Sequence, residues 1–493
     1  NSQISSYILG GESCDNYYSE VVGSDNIPDI LLGRISAETV AQVSTQVQKF
    51  IQYEQNPPES SHFERFCGIG SEEGPGDNNE YDYEHIRNID NLLLNYHYNS
   101  GYEFFEGSQG GLDGAGDPTA TQVSNALNNG VGILNYCGHG SYNAFGTSGL
   151  SSGNISSLSN YNKLPFIISV ACQNGDYVNQ TCFAESWMRA NNNGESTGAI
   201  GVLMSSINQP WDPPMAGQDE INNVLTESIS GNIKRRFGGI VFDGLLKMLE
   251  IYNDVETYRT WLIFGDPSLM LRTAIPQELS VNHLSNINLG VTNISFTSPI
   301  EGSKIVLSCN NQILAQGYIS NGSLNLAIPT TLTLQDTIQV LASKYNYTPY
   351  QGIISFIANG PYLVYDSHSF AEIIGNNNSF PDYGETVEMT LCLKNCGTES
   401  TNNILLTLRT SDPYISLLDS TTSIAQINNG YTNCSNSTFK FCVANDIPFG
   451  HMVNFIIQLK YNNNTYYFNL QQIIYVPNFE ISDYVIDDSG SNV

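Results

Sequence analysis

Basic residues are scarce: 18 Lys and Arg stand against 48 Asp and Glu in 493 residues, a formal charge of −30. A surface of that sign disfavours nucleic acid or an anionic membrane as partner, because both need basic patches. Charge of either sign is sparse as well. Only 13% of residues carry it, about half the usual ~25%, and Asn, Ser, Gly and Tyr supply the polar surface instead. No apolar run approaches the ~20 residues of a membrane span. No signal peptide opens the chain at Asn1, which reads as a processed end or as an arbitrary boundary within a longer chain. Ten cysteines are too few for a disulfide scaffold. What is present is apolar material, 40% of the chain, enough for several cores and too much for global disorder. The acidic excess suits a protein that binds hard cations or attracts basic substrates.

Length allows about three domains, and the patterning changes twice. Up to about residue 275, apolar runs alternate with helical segments. Ile30-Leu31-Leu32-Gly33 reads as a strand. Ala37 to Tyr53 reads as a helix whose apolar face is Val40, Val43, Val47 and Ile51, opened by Ser36 and Glu38. Gly130 to Tyr136, Leu164 to Val170 and Ala199 to Met204 are continuous apolar strands, and Phe183 to Ala190 is helical. Such strands between helices imply an α/β domain with a mostly parallel sheet covered on both faces. Residues 276–357 alternate apolar and polar between Gly and Asn-Gly turns, the pattern of one small β-sandwich. A second β module covers 358–480. Residues 481–493 faintly echo its opening, Asp483 to Asp488 answering Val364-Tyr365-Asp366, as the start of a further repeat. Cys392, Cys396, Cys434 and Cys442 cluster in this module, where one or two disulfides are expected. A zinc site is the rival reading, with His451 the nearest histidine.

In open parallel sheets, chemistry sits in loops at the carboxyl ends of strands. The two such loops read Tyr136-Cys137-Gly138-His139-Gly140-Ser141 and Ser169-Val170-Ala171-Cys172-Gln173-Asn174-Gly175. Each puts a reactive side chain directly after a buried strand. A thiolate can attack a carbonyl carbon while an imidazole moves the protons. The flanking glycines admit a peptide backbone, and the loop amides can form an oxyanion hole. A lone buried Cys or His is ordinarily packing. Two of them after adjacent strands, each beside glycine, favour catalysis.

Those segments, with CFAESWMRA, SSINQPWDPPMAGQDE, IKRRFGGIVFDG and TWLIFGDPSLMLRT, resemble the catalytic domain of the gingipains, secreted cysteine endopeptidases with a caspase-like fold. The stretch DNIPDILLGRISAETVAQVSTQVQKFIQYE is similar to the segment before that core. The resemblance runs in order over residues 1–275 and on into the immunoglobulin-like domain that follows. It implies a secreted or cell-surface peptidase acting on proteins after a basic P1 residue, Arg or Lys, through an acyl-enzyme. It also implies His139 as catalytic histidine, Cys172 as nucleophile, and the amides of Gly140 and Cys172 as oxyanion hole. Cys182 matches a non-catalytic position. Cys137 departs from the family pattern, standing where a pocket-lining hydroxyl is expected.

The resemblance further places Glu73 as the acid beside the imidazole and Asp82 as the P1-binding carboxylate, although the two roles could be exchanged. Trp211 matches the aromatic cover of the specificity pocket and Met215 lies near its floor, with Asp212 as added negative charge. A buried carboxylate is stabilised when a cation pairs with it, so an acidic pocket selects Arg or Lys. Catalysis needs no cofactor. Structural calcium is expected, with the acidic loops Gly74–Asp82 and Gly111–Asp117 as the candidate regions. A caspase-like peptidase with non-basic P1 preference and a degenerate adhesion protein are the competing readings. Oligomeric state is silent in the sequence.

Overall fold

The computed structural model describes residues 7–9, 11–329, 331–358 and 360–474. The expected further repeat at 481–493 lies outside them.

Six strands make the central sheet: β1 (Arg65–Gly70), β2 (Ser100–Phe105), β3 (Ile133–Cys137), β4 (Phe166–Val170), β5 (Gly201–Ser205) and β6 (Trp261–Gly265). Their order across the sheet is β6-β5-β4-β3-β1-β2, parallel throughout except for β6. Every residue of β3, β4, β5 and β6 is buried, which explains their continuous apolar sequences. Helices α1 (Val40–Gln55), α2 (Asp82–Leu94), α3 (Ala120–Asn129), α4 (Phe183–Arg189), α5 (Asp212–Leu225) and α6 (Phe237–Tyr252) accompany the sheet. Chain order turns back between β1 and β3, so the carboxyl ends of these two strands open a crevice.

Strand β1 was not legible in the sequence because Gly68 and Gly70 break its apolar run. The structure shows what they do. A Cβ on Gly70 would lie 2.7 Å from the Tyr83 Cα, and one on Gly68 would lie 2.2 Å from Asp90 Oδ2. Glycine therefore lets α2 press directly on the strand, and Asp82, its first residue, arrives at the end of β1.

Two expectations are overturned. Ile30–Gly33 forms no strand. The chain runs along the outer edge of β6 with a single bridge, Arg34 to Phe264, and Ile30 and Leu31 are exposed. Helix α1 forms, capped by Thr39 and Gln42, but its apolar stripe faces outward. Val40, Val43, Val47 and Ile51 are all exposed, from 38% at Val47 to 83% at Val40. The buried face is Gln46, Lys49, Phe50 and Tyr53. Phe50 and Tyr53 join the core, and Lys49 Nζ donates to the carbonyls of Trp187 (3.1 Å), Met188 (2.8 Å) and Ala199 (3.3 Å). It thereby gives a donor to the buried terminal carbonyls of α4, along with that of Ala199 beyond the helix. Burial pushes this ammonium down to about 7.

Beyond the α/β unit, two further cores are wholly β. The first joins a five-stranded sheet (Asn286–Asn288, Lys304–Cys309, Gln312–Tyr318, Thr337–Ser343, Tyr350–Ile357) to the pair Asn293–Thr297 and Ser323–Ala327 around Phe296, Leu307 and Ile338. It is seated on the α/β unit by Arg272 Nη1 to the Tyr347 carbonyl (2.9 Å) and by Tyr345 Oη to the Leu271 carbonyl (3.0 Å). The second sets a sheet built on Leu363–Ile374 and Thr386–Asn395 against the sheet of Thr401–Arg409, Thr421–Ile427, His451–Tyr461 and Asn464–Ile474. Leu391, Leu406, Phe441 and Ile457 fill the space between them. Cys392 and Cys434 pair across neighbouring strands in a disulfide, while Cys396 and Cys442 remain thiols. One bridge forms, and it removes two thiols from the zinc alternative. No described helix is long and apolar enough to cross a membrane.

Candidate active site

Register brings the two reactive loops to one level. Cys137 at the end of β3 pairs with Val170 at the end of β4, so His139 and Cys172 each stand two residues beyond the same rung. Main-chain bonds fix the turns: the Gly138 N–H donates to the Val170 carbonyl (3.2 Å) and the Gly146 N–H to that of His139 (2.7 Å). Gln173, directly after the thiol, has φ of 58°, a left-handed conformation rare for a side-chain-bearing residue. The Gln173 N–H donates to the Ile207 carbonyl at 2.8 Å, which holds that turn. A fully buried Asn174 ties the loops together. Its Nδ2 donates to the carbonyls of Ser141 (2.6 Å) and Ala144 (3.1 Å), and its Oδ1 accepts from Ser169.

A cavity of about 110 Å³ is lined by Asp82, Cys137, His139, Cys172, Gln209 and Trp211, among others. Of the three candidate thiols, Cys172 alone is half-exposed. Burial pushes its thiol up, while the Gln209 backbone N–H acts in the opposite sense by favouring the thiolate. Cys137 and Cys182 are buried, and burial pushes both thiols upward, helped at Cys137 by Asp82. Gly140 lies against the Cys172 loop: a Cβ there would sit 2.7 Å from the Cys172 carbonyl oxygen. The two amides named for the oxyanion hole thus belong to abutting backbones.

The carboxylates divide. Glu73 Oε1 is 3.7 Å from His139 Nε2, and both side chains are more than half exposed. Asp82 is wholly buried and faces the cavity. Its Oδ1 accepts from Cys137 Sγ (3.2 Å) and Trp211 Nε1 (2.9 Å), and its Oδ2 from Ser71 Oγ. All three donors are neutral. Burial pushes the Asp82 carboxyl above its ordinary value, and the three donors only partly offset that rise. Ser71 was missed in the sequence, though it lies two residues before Glu73. Trp211 also meets the His139 ring edge-on, centroids 5.8 Å apart. Met215 is buried below, and a Cβ on Gly76 would collide with it and with Trp211.

Asp212 is a correction. It is exposed in the first turn of α5, outside the cavity lining, because one helical residue turns the chain about 100° from Trp211. In the acidic loop Gly111–Asp117 the carboxylates accept main-chain hydrogen bonds. Asp113 accepts from the amides of Phe105 (3.0 Å) and Gln109 (2.9 Å), and Asp117 from that of Gly107 (2.9 Å). Among the described residues no three His, Cys, Asp or Glu side chains converge as a metal set, and no calcium ligand is assigned.

A thiol and an imidazole on adjacent strand ends, lining an open cavity with a buried carboxylate in its wall, are the arrangement of a cysteine peptidase. The family model for peptidase family C25 matches residues 2–272. The chain belongs to that family. It is 35% identical over 354 residues to gingipain R1 of Porphyromonas gingivalis, covering 70% of this chain and 34% of that protein. Gingipain R2 of the same species is 33% identical, over 70% of this chain and 47% of the relative. Lys-gingipain is 22% identical, over 68% and 20%. The chain thus spans less than half the length of these relatives. The crystal structure of the Arg-specific cysteine proteinase gingipain R superposes with a TM-score of 0.66 at 32% identity, covering 71% of this chain and 81% of that one. The α/β unit is accordingly of the caspase-like type.

Proposed function

We propose that the chain is a cysteine endopeptidase that cleaves after a basic P1 residue, arginine in preference to lysine. The observation that carries this is Asp82: a buried carboxylate, served only by neutral donors, in the same cavity as Cys172 and His139. A guanidinium entering the cavity supplies the missing charge and fits a carboxylate's two oxygens. The higher identity to the R-type gingipains than to Lys-gingipain supports arginine.

In this reading Cys172 Sγ attacks the carbonyl carbon of the P1 residue as its proton passes to His139. The amides of Gly140 and Cys172 hold the oxyanion. The imidazolium then protonates the leaving amine, the C–N bond breaks, and an acyl-enzyme remains until water hydrolyses it. Glu73 stabilises the imidazolium across 3.7 Å. Its exposure keeps that contribution modest. Trp211 covers the P1 side chain and Met215 backs it. The β cores act as spacing modules, the first of immunoglobulin-like type. The Cys392–Cys434 disulfide supports residence in an oxidising, extracellular setting.

Matched fluorogenic peptides with Arg, Lys, Asn, Asp or Ala at P1, beside a Cys172→Ala control, test the proposal. Hydrolysis after Arg and more slowly after Lys, abolished in the control, is the expected result. Cleavage after Asn, Asp or Ala would keep the nucleophile and discard the pocket. Structural calcium is a separate proposal. Adding calcium to chelator-treated protein should raise its melting temperature, and an unchanged value removes the ion.

A further inference from the structure

Behind the P1 cavity lies a buried charged cluster with no assigned role. His85, one turn along α2 from Asp82, has no exposed surface. Its Nε2 is 3.1 Å from Gln218 Oε1. The Gln218 amide is oriented by its own Nε2, which donates to Asn135 Oδ1 (3.1 Å), the Ile168 carbonyl (3.3 Å) and the Tyr136 carbonyl (3.4 Å). Gln218 Oε1 is therefore the acceptor, and His85 Nε2 must carry a hydrogen. On the other side, His85 Nδ1 lies 3.6 Å from Glu80 Oε2 and 3.4 Å from Asp219 Oδ1 and is a buried nitrogen without a hydrogen-bond partner. A neutral ring would aim a lone pair at two carboxylates. An imidazolium aims an N–H.

The residues this ring joins are those that build the pocket. Glu80 closes the loop whose Gly76 packs on Trp211 and Met215, Asp219 belongs to α5, and His85 shares α2 with Asp82. We propose that the His85 imidazolium is a positioning residue for the P1 pocket, holding the Asp82 helix, the loop 76–80 and the Trp211 helix together through Glu80 and Asp219. The proposal rests on the reading of Asp82 and Trp211 as that pocket.

The electrostatics agree. Burial works against charge on His85, but Glu80 and Asp219, with the Gln218 bond, outweigh it and hold the ring above its ordinary value. Burial pushes Asp219 up to about 6 against the pull of His85, with Glu80, Asp77 and Glu220 adding to the rise. Glu80 is held below the ordinary carboxylate range by His85, with Asn88 assisting. Asp82 feels the same positive ring. Deprotonating His85 therefore leaves Glu80, Asp82 and Asp219 beside a neutral ring. The contact that draws loop and helices together is lost, and an ionised Asp82 remains in a loosened pocket.

The test is KM and kcat for a P1-Arg peptide from pH 5 to 10, on the full chain and on His85→Gln and Asp219→Asn. Selective ¹⁵N-histidine labelling reads the His85 protonation state independently of activity. In the parent protein KM is expected to rise on the alkaline side as the His85 signal titrates, with kcat steady. His85→Gln should raise KM roughly tenfold at neutral pH, as expected for loss of one pocket-ordering interaction, and abolish that alkaline rise. Asp219→Asn removes one carboxylate, so the rise should move to lower pH; this variant decides the matter if His85→Gln fails to fold. An identical KM profile in parent and variants, a neutral His85 at pH 7, or a loss in kcat with KM unchanged overturns the proposal. Asp82→Asn separates the two readings. If it spares Arg hydrolysis, the pocket itself is wrong. If it abolishes Arg hydrolysis while the profiles coincide, only the His85 role fails.

Discussion

Asp82 and Asp90 stand two turns apart on the same helix, and both are buried. The first receives three hydrogen bonds and faces a cavity. The second has no partner for either oxygen and presses on Gly68. Burial pushes both carboxyls upward, and Asp90 the further, with Glu103 adding repulsion. A buried acid held by oriented donors is arranged to meet a cation. A buried acid with none is a cost the fold carries. Burial alone does not mark a site, whereas convergent donors beside an opening do.

The largest test of that contrast is Asp82→Asn. It should cut kcat/KM for P1-Arg peptides about a thousandfold, the scale of breaking a buried charge pair, while thermal unfolding changes little. Equal losses in activity and melting temperature would erase the distinction from Asp90. Asp90→Asn should act in the opposite sense, stabilising the protein by about 1–2 kcal/mol at pH 7. The sign follows from the raised folded value: the unfolded chain loses the Asp90 proton first as pH climbs. Stability from this group is complete below the ordinary carboxylate range and declines above it. The gain should thus vanish near pH 4 in denaturant titrations, and a pH-independent gain would contradict the assignment.

Trp211→Phe keeps the ring but deletes one donor to Asp82 Oδ1. KM for P1-Arg should rise about tenfold, as for one bond to a buried charge, with Cys172 alkylation by a small reagent unaltered. Ser71→Ala has the smallest expected effect, about threefold in KM at neutral pH. Its diagnostic is the acid side of the KM profile. Losing a donor raises Asp82 further, so the low-pH rise in KM should begin at higher pH than in the parent protein.

Much of this was legible in the sequence where one strand feeds one loop. His139 and Cys172 follow continuous apolar runs, and the order of strand, small residue and reactive residue singles them out as candidates. Asp82 and Trp211 came from family resemblance, since nothing local marks two helix starts that meet at one cavity. Ser71, Asn174 and His85 escaped because their partners lie on other loops and helices, some near in the chain and some far, as Gln218 is from His85. The α1 stripe misled for a physical reason. Four apolar side chains were outweighed by Phe50 and Tyr53, which join the core, and by Lys49, which bonds three main-chain carbonyls. Asp212 misled because adjacency to Trp211 in sequence is separation on a helix.

The placement of sulfur has a last consequence. The one disulfide among the described residues staples a β module, whereas Cys67, Cys137, Cys172 and Cys182 of the α/β unit are thiols. A reductant that restores an oxidised Cys172 finds no bridge to open around the His139 and Cys172 loops. It can loosen only the distal module. Turnover and the integrity of that module should therefore answer the same reductant in opposite directions, so that the condition in which the chain works fastest is the one in which its far end is least secure.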